Sequence, residues 1–122
     1  MRRILLVAIA AALLLIMPTL GKTENASHDG NYLLRSCQIT VRMLNDPHSR
    51  LDIYESWRDG RCRGLVEGVS DASPEVCADE SVTLQQEYRV VLKFLEDHPE
   101  KLNMRDSALV RDALAQAFPC KR

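Results

Sequence analysis

Strand signals are almost absent from this sequence of 122 residues. No stretch alternates apolar and polar residues for long, and after residue 21 glycine occurs only at Gly30, Gly60, Gly64 and Gly68. Both features argue against a sheet. There is no glycine-rich phosphate loop, and Ser56, Ser70 and Ser107 stand in no Gly-x-Ser-x-Gly elbow. The cysteines never approach a Cys-x-x-Cys spacing, which removes the common zinc frameworks. A basic excess is missing as well: 16 Lys and Arg face 17 Asp and Glu, a net charge of −1. That balance argues against nucleic acid, which asks for clustered cations. Histidine is scarce, at His28, His48 and His98 only. A cysteine nucleophile needs a free thiol beside a base, and His98 ahead of Pro99 reads as a helix-end residue favoured by the helix dipole. Glu96 and Asp97 are adjacent and so lie on different faces of a helix, not as an acid/base pair. No catalytic residue, metal site or cofactor is expected, and the chain reads as a non-enzyme.

What is present starts with an apolar run. Arg2 and Arg3 precede ILLVAIAAALLLIMPTL, with no charge from Ile4 to Gly21. A basic start, an apolar centre and a small-residue exit make the plan of a secretory signal peptide over residues 1–21. Cleavage after Gly21 is expected, with Ala26 as the alternative site; an uncleaved membrane anchor is the competing reading. Residues 22–29 then read as a flexible mature N-terminus, and residues 30–122 as one helical domain. Losing two arginines and no acids makes the mature chain more acidic, with no patch for a membrane surface. A domain of this size buries a modest share of its surface, so covalent staples help. Cys37, Cys62, Cys77 and Cys120 all follow the leader, and four cysteines in an exported small domain read as two disulfides.

Helical spacing recurs four times, which predicts an all-α bundle. A first helix runs from about Gly30 to Asn45, with Tyr32, Leu33, Cys37, Thr40, Val41 and Leu44 on its apolar side, and ends before Pro47. A second runs from about Arg50 to Asp71, with Tyr54, Trp57, Cys62, Leu65, Val66 and Val69 as its apolar side. Gly64 and Gly68 share one face of it and predict a closely packed neighbouring helix; a helix loosened around Gly60 is the alternative. After the loop Ser73–Val82, Thr83-Leu84-Gln85-Gln86 matches a capping box for a third helix whose stripe is Leu84, Tyr88, Val91, Leu92 and Leu95. His98-Pro99 stops it. Asn103 and Asp106 are candidate caps for a fourth helix lined by Leu109, Val110, Ala113, Leu114, Ala117 and Phe118 and closed by Pro119. Short connections make successive helices antiparallel, so the end of the fourth returns to the start of the third. Cys77–Cys120 and Cys37–Cys62 are then the easiest bonds; Cys62–Cys77 with Cys37–Cys120 is the rival pairing.

The one feature beyond architecture is an acidic loop with its shoulders: Glu67, Asp71, Glu75, Asp79 and Glu80. Such a run is either a solvated surface or a docking surface for a basic partner, since complementary charge speeds encounter and selects partners.

The order CRGLVEGVSDA at 62–72, a loop cysteine, SVTLQQEYRVVLKFLEDHPEKL at 81–102 and LVRDALAQAFPC at 109–120 resembles the Rap/Tai immunity proteins. Cys62, Gly64, Gly68, Val69, Asp71, Cys77, Val82, Thr83, Phe94, Leu95, His98, Pro99, Glu100, Phe118, Pro119 and Cys120 stand at the positions of that pattern. Leu65 replaces its usual tyrosine, and the proline common after the loop cysteine is missing. The resemblance implies a small periplasmic all-α protein that neutralises a peptidoglycan amidase of type VI secretion by plugging its Cys/His cleft. The shared residues are architectural and carry over no binding site; the acidic Ser73–Val82 loop with Glu67 and Asp71 is the contact expected from charge. A homodimer is a further expectation from the relatives, although Tyr54 and Trp57 suit the core equally. The alternatives are a general periplasmic protein-binding or acid-stress chaperone-like protein of similar build, and an orphan relative with no toxin.

Overall fold

The computed structural model describes residues 28–121, so the expected signal peptide and nearly all of the stretch 22–29 lie outside the described residues. Four α-helices follow in order: α1, Gly30–Asn45; α2, Ile53–Ala72; α3, Leu84–Asp97; and α4, Asp106–Ala117. A single turn of 3-10 helix, Pro99–Lys101, sits between the last two. Among the described residues there is no strand, only two isolated bridges, Asp29 with Arg105 and Val76 with Pro119. The fold is all-α, as the periodicity predicts.

Local chemistry sets most of the boundaries. The Asp29 carboxylate accepts the Tyr32 amide (2.8 Å) and starts α1. Asp52 and Glu55 form a capping box that starts α2 at Ile53, later than Arg50 because the cap is Asp52. Thr83 and Gln86 form the box that opens α3. The entry to α4 departs from expectation: Arg105 is the cap residue and makes no side-chain cap bond. Asp106 is unavailable for capping because one of its oxygens takes the Ser107 amide (2.7 Å) and the other takes the Arg61 guanidinium. Asp106 is thereby a buried, paired carboxylate that ties α4 to α2.

Helix α1 packs against the three others. Leu33, Val66, Val91, Leu95, Leu109 and Leu114 meet at the centre of the bundle with essentially no exposure. At roughly 25 cal/mol per Å² of apolar surface, these side chains are the main source of stability. The start of α1 is clamped to the segment that leads into α4. The Gly30 amide donates to the Met104 carbonyl and the Asn31 amide to the Leu102 carbonyl, both at 3.1 Å, while the Asp106 amide donates to His28. This close approach requires glycine: a Cβ on Gly30 would lie 2.5 Å from a Leu109 methyl and 2.9 Å from the Leu102 backbone.

Both disulfides follow the hairpin logic. Cys37–Cys62 joins α1 to α2 with its Cα atoms 5.1 Å apart, and Cys77–Cys120 joins the loop to the tail at 4.9 Å. The first is buried in the core, so it fixes the rotation of α2 as well as its position.

That rotation overturns several sequence expectations. Cys62 and Val66 face inward, and Trp57 lies five residues before Cys62, about 140° away around the helix. Tyr54 and Trp57 are therefore outside the core, 75% and 72% exposed. Gly64 and Gly68 pack against no helix; a Cβ at either, or at Gly60, would meet nothing within 4 Å. Helix α2 also runs unbroken through Gly60. Leu84 and Ala117 are exposed at helix ends, where the stripe has run past the neighbouring helix.

Candidate binding surface

The five acidic residues picked out in the sequence cluster at one end of the bundle, and the fold gives them different work. The Ser73–Val82 loop is held twice at Cys77: its sulfur is bonded to Cys120, and its amide donates to the Phe118 carbonyl at 2.9 Å. Asp79 turns back into this loop, taking the Ser81 hydroxyl and the Ser81 amide. Those bonds hold its carboxyl below the usual aspartate range. Glu67, half-buried on α2, accepts the Tyr88 hydroxyl of α3. Burial, reinforced by that bond and by the Glu67 charge, pushes the Tyr88 phenol up to about 12, while the Arg63 guanidinium lies 5.5 Å from the centre of its ring. Asp71, Glu75 and Glu80 are exposed, and no ion pair among the described residues engages them. These three free carboxylates on a fastened loop and helix end are the ones available to a partner.

His98, the remaining candidate for chemistry, is occupied structurally. Its Nδ1 lies 3.0 Å from Glu100, and its ring packs at a 51° tilt against Phe94 with centroids 4.5 Å apart.

A second surface lies at the other end of α2 and was hidden in the sequence. Ile53, Tyr54 and Trp57 are 66%, 75% and 72% exposed. Ile53 and Trp57, with Ser56, Gly60 and Arg61, border a groove of about 470 Å³ that includes the bare helix backbone at Gly60. Monomeric proteins rarely leave a contiguous patch of large apolar side chains uncovered, and Trp and Tyr are the residue types that dominate interface energetics. The signal was legible as spacing: positions 53, 57, 60 and 64 recur four and three apart, opposite Cys62 and Val66.

One further group escaped the sequence reading. Glu87, in the first turn of α3, is 5% exposed, and one of its oxygens accepts the Ser70 hydroxyl of α2 at 2.9 Å. Nothing in its sequence neighbourhood distinguishes it from the solvated glutamates; only the docking of α2 buries it.

The bundle combines a disulfide-fastened body, an acidic end and an apolar face. No curated protein matches the chain. A family model describing Rap1a immunity proteins matches residues 29–120, which takes in all four helices and both disulfides. The chain therefore belongs to the Rap1a immunity protein family.

Proposed function

We propose that the chain works in the periplasm as the inhibitor of a peptidoglycan amidase delivered by type VI secretion, and that it acts by seating its acidic end over the amidase cleft. The observation that carries this reading is the Ser73–Val82 loop, which is fastened by Cys77–Cys120 and edged by the unpaired carboxylates of Asp71, Glu75 and Glu80. A loop already held in place loses little conformational freedom on binding, so more of the contact energy is retained as affinity. Two disulfides agree with an oxidising compartment, and the basic-then-apolar start of the sequence agrees with export. No helix among the described residues is long and apolar enough to cross a membrane. Inhibition by occlusion requires no chemistry from the chain itself.

The apolar end of α2 supports a second element of the proposal, a homodimer. Two copies crossing at Trp57 and Gly60 bury Ile53, Tyr54 and Trp57 of each, with the aromatic of one over the bare backbone of the other. A two-fold interface of this kind is self-complementary, and helices that cross there diverge, leaving both acidic ends free.

The test uses the purified mature chain and candidate secreted peptidoglycan amidases from the same genome. Stoichiometric inhibition of peptidoglycan stem hydrolysis, weakened when Asp71 and Glu80 are reversed to lysine, is expected. Undiminished hydrolysis with the chain in excess removes the reading.

A further inference from the structure

Behind the acidic end of α2, the first turn of α3 carries a carboxyl group that the fold leaves incomplete. Glu87 gives one oxygen to Ser70, but the other, Oε2, is buried and has no hydrogen-bond partner. The charged groups that bear on it from α2 are both acids, Glu67 and Asp71. The neighbouring cations are committed elsewhere: Arg63 holds Asp59 and lies over the Tyr88 ring, and Arg89 donates to Asn45. On its own helix the adjacent Tyr88 hydroxyl is turned to Glu67. The helix end adds to the imbalance. The last turn of α2 carries no basic residue, and Asp71 stands there instead. A helix C-terminus is the negative end of its dipole and favours a cation.

A buried carboxylate with an open oxygen, two acidic neighbours and no cation is costly unless it is neutralised or paired. Among the described residues the pairing group is missing. We propose that Glu67, Asp71 and Glu87 form the seat for a lysine or arginine side chain of the effector, and that filling the seat displaces a proton from Glu87 to solvent. This rests on the immunity reading and specifies the chemistry of its contact. The arriving cation sits against exposed Asp71 and half-buried Glu67, at the end of the α2 dipole, with Glu87 directly behind. In the free protein, burial pushes the Glu87 carboxyl up, the Ser70 hydrogen bond opposes this, and the Asp71 and Glu67 charges push it further. In the complex the new positive charge offsets both acids and favours the ionised form. One carboxylic acid becomes one carboxylate and one proton enters the buffer, so binding strengthens with pH. The gain is at most about tenfold per pH unit where Glu87 titrates from the acid form, and it vanishes above that range.

Two measurements test this. In calorimetry with the cognate amidase, in buffers of different ionisation enthalpy and at acidic pH values down to the range where Glu87 titrates, the chain is expected to release a fraction of a proton per complex that falls to zero as the pH rises above that range. Glu87→Gln, which keeps the shape and the Ser70 contact, is expected to release none and to lose the pH dependence. A tight, inhibitory complex with no proton release, and Glu87→Gln indistinguishable from the parent, overturns the seat while leaving the immunity reading intact. The second arm needs no effector: the Glu87 carboxyl is titrated by carbon-13 NMR with and without a hexa-arginine peptide. A fall of its midpoint by about one unit on saturation is expected, the scale of an opposite charge brought close. An unmoved midpoint overturns the proposal. So does a midpoint that follows protein concentration instead, since the seat is then filled by a second copy of the chain.

Discussion

The two ends of helix α2 face solvent with different chemistry. At the start, Ile53, Tyr54 and Trp57 expose large apolar side chains around the bare backbone at Gly60. At the end, Glu67, Asp71 and the loop beyond are acidic, and Glu87 lies behind them. The ends also differ in how they bind. Apolar burial is insensitive to salt and dominates affinity, so the first end suits a standing contact between copies. Charge steers encounter, selects partners and weakens as ions screen it over about 10 Å at 0.1 M salt. The second end therefore suits the selective capture of a basic partner. One helix carries both because its inward face needs only Cys62, Val66 and the flanking Leu65 and Val69 to pack.

The largest expected effect breaks the first end alone. Trp57→Asp places a charge where the apolar contact is proposed and is expected to weaken self-association by at least about 100-fold, roughly 3 kcal/mol for a central aromatic anchor. Sedimentation equilibrium reads the change. Trp57 is outside the core, so the thermal midpoint and the disulfides are expected to hold. Loss of effector binding in the same variant shows that the two ends are not independent. Next comes the second end. Reversing Asp71 and Glu80 together to lysine is expected to reduce effector affinity about 30-fold and to flatten its salt dependence, with self-association unchanged. Asp79, which holds its own loop through Ser81, is a poorer choice, because its reversal disturbs the loop as well as the charge.

The legible part of this fold was the part written in local chemistry. Asn45-Asp46-Pro47, Thr83-x-x-Gln86 and Phe118-Pro119 each stop or start a helix through groups a few residues apart, and the antiparallel hairpins then bring the right cysteines together. The rotation of α2 was not local. Tyr54 and Trp57 are apolar enough to be read as core, but the buried Cys37–Cys62 bond and the Val66 contact turn them outward. The glycines misled for the same reason: Gly64 and Gly68 suggested a close helix, whereas the close approach occurs at Gly30. At the candidate site the acidic cluster was visible as composition. That Glu67 and Asp79 are engaged internally while Asp71, Glu75 and Glu80 are free depends on contacts with Tyr88 and Ser81. Glu87 was invisible, because its burial is made by α2.

The glycines sharpen the comparison with a smaller effect of two signs. Gly60→Ala and Gly68→Ala each meet open space and are expected to stabilise the monomer by up to about 1 kcal/mol, the helix preference of alanine over glycine. Only Gly60 lies where copies are proposed to cross, so Gly60→Ala is expected to weaken self-association several-fold while raising the thermal midpoint. Gly68→Ala is expected to raise the midpoint alone. Equal effects of the two on association move the crossing point towards the acidic end.

The smallest expected effect is the pH dependence of stability. Burial raises the folded-state value of Glu87 above that of the unfolded chain, which is near the ordinary glutamate value of about 4.3. The folded state thus holds this proton to higher pH than the unfolded state does. The contribution is fully present below the unfolded value and is lost as pH rises through the folded one, so mild acidification from neutrality favours folding. Glu55, held low chiefly by the Arg42 hydrogen bond, and Asp79, held low by Ser81, work in the opposite direction. Asp79 is exposed and Glu55 partly so, and the stability they add is lost only as pH falls through their own lowered values. Urea denaturation between neutral and mildly acidic pH is expected to show a gain that Glu87→Gln abolishes, with the variant the more stable of the two at neutral pH. The sign separates the two ends of the helix from the chaperone alternative as well: a protein built to open in acid loses stability over that interval, whereas the acidic end of α2 tightens there.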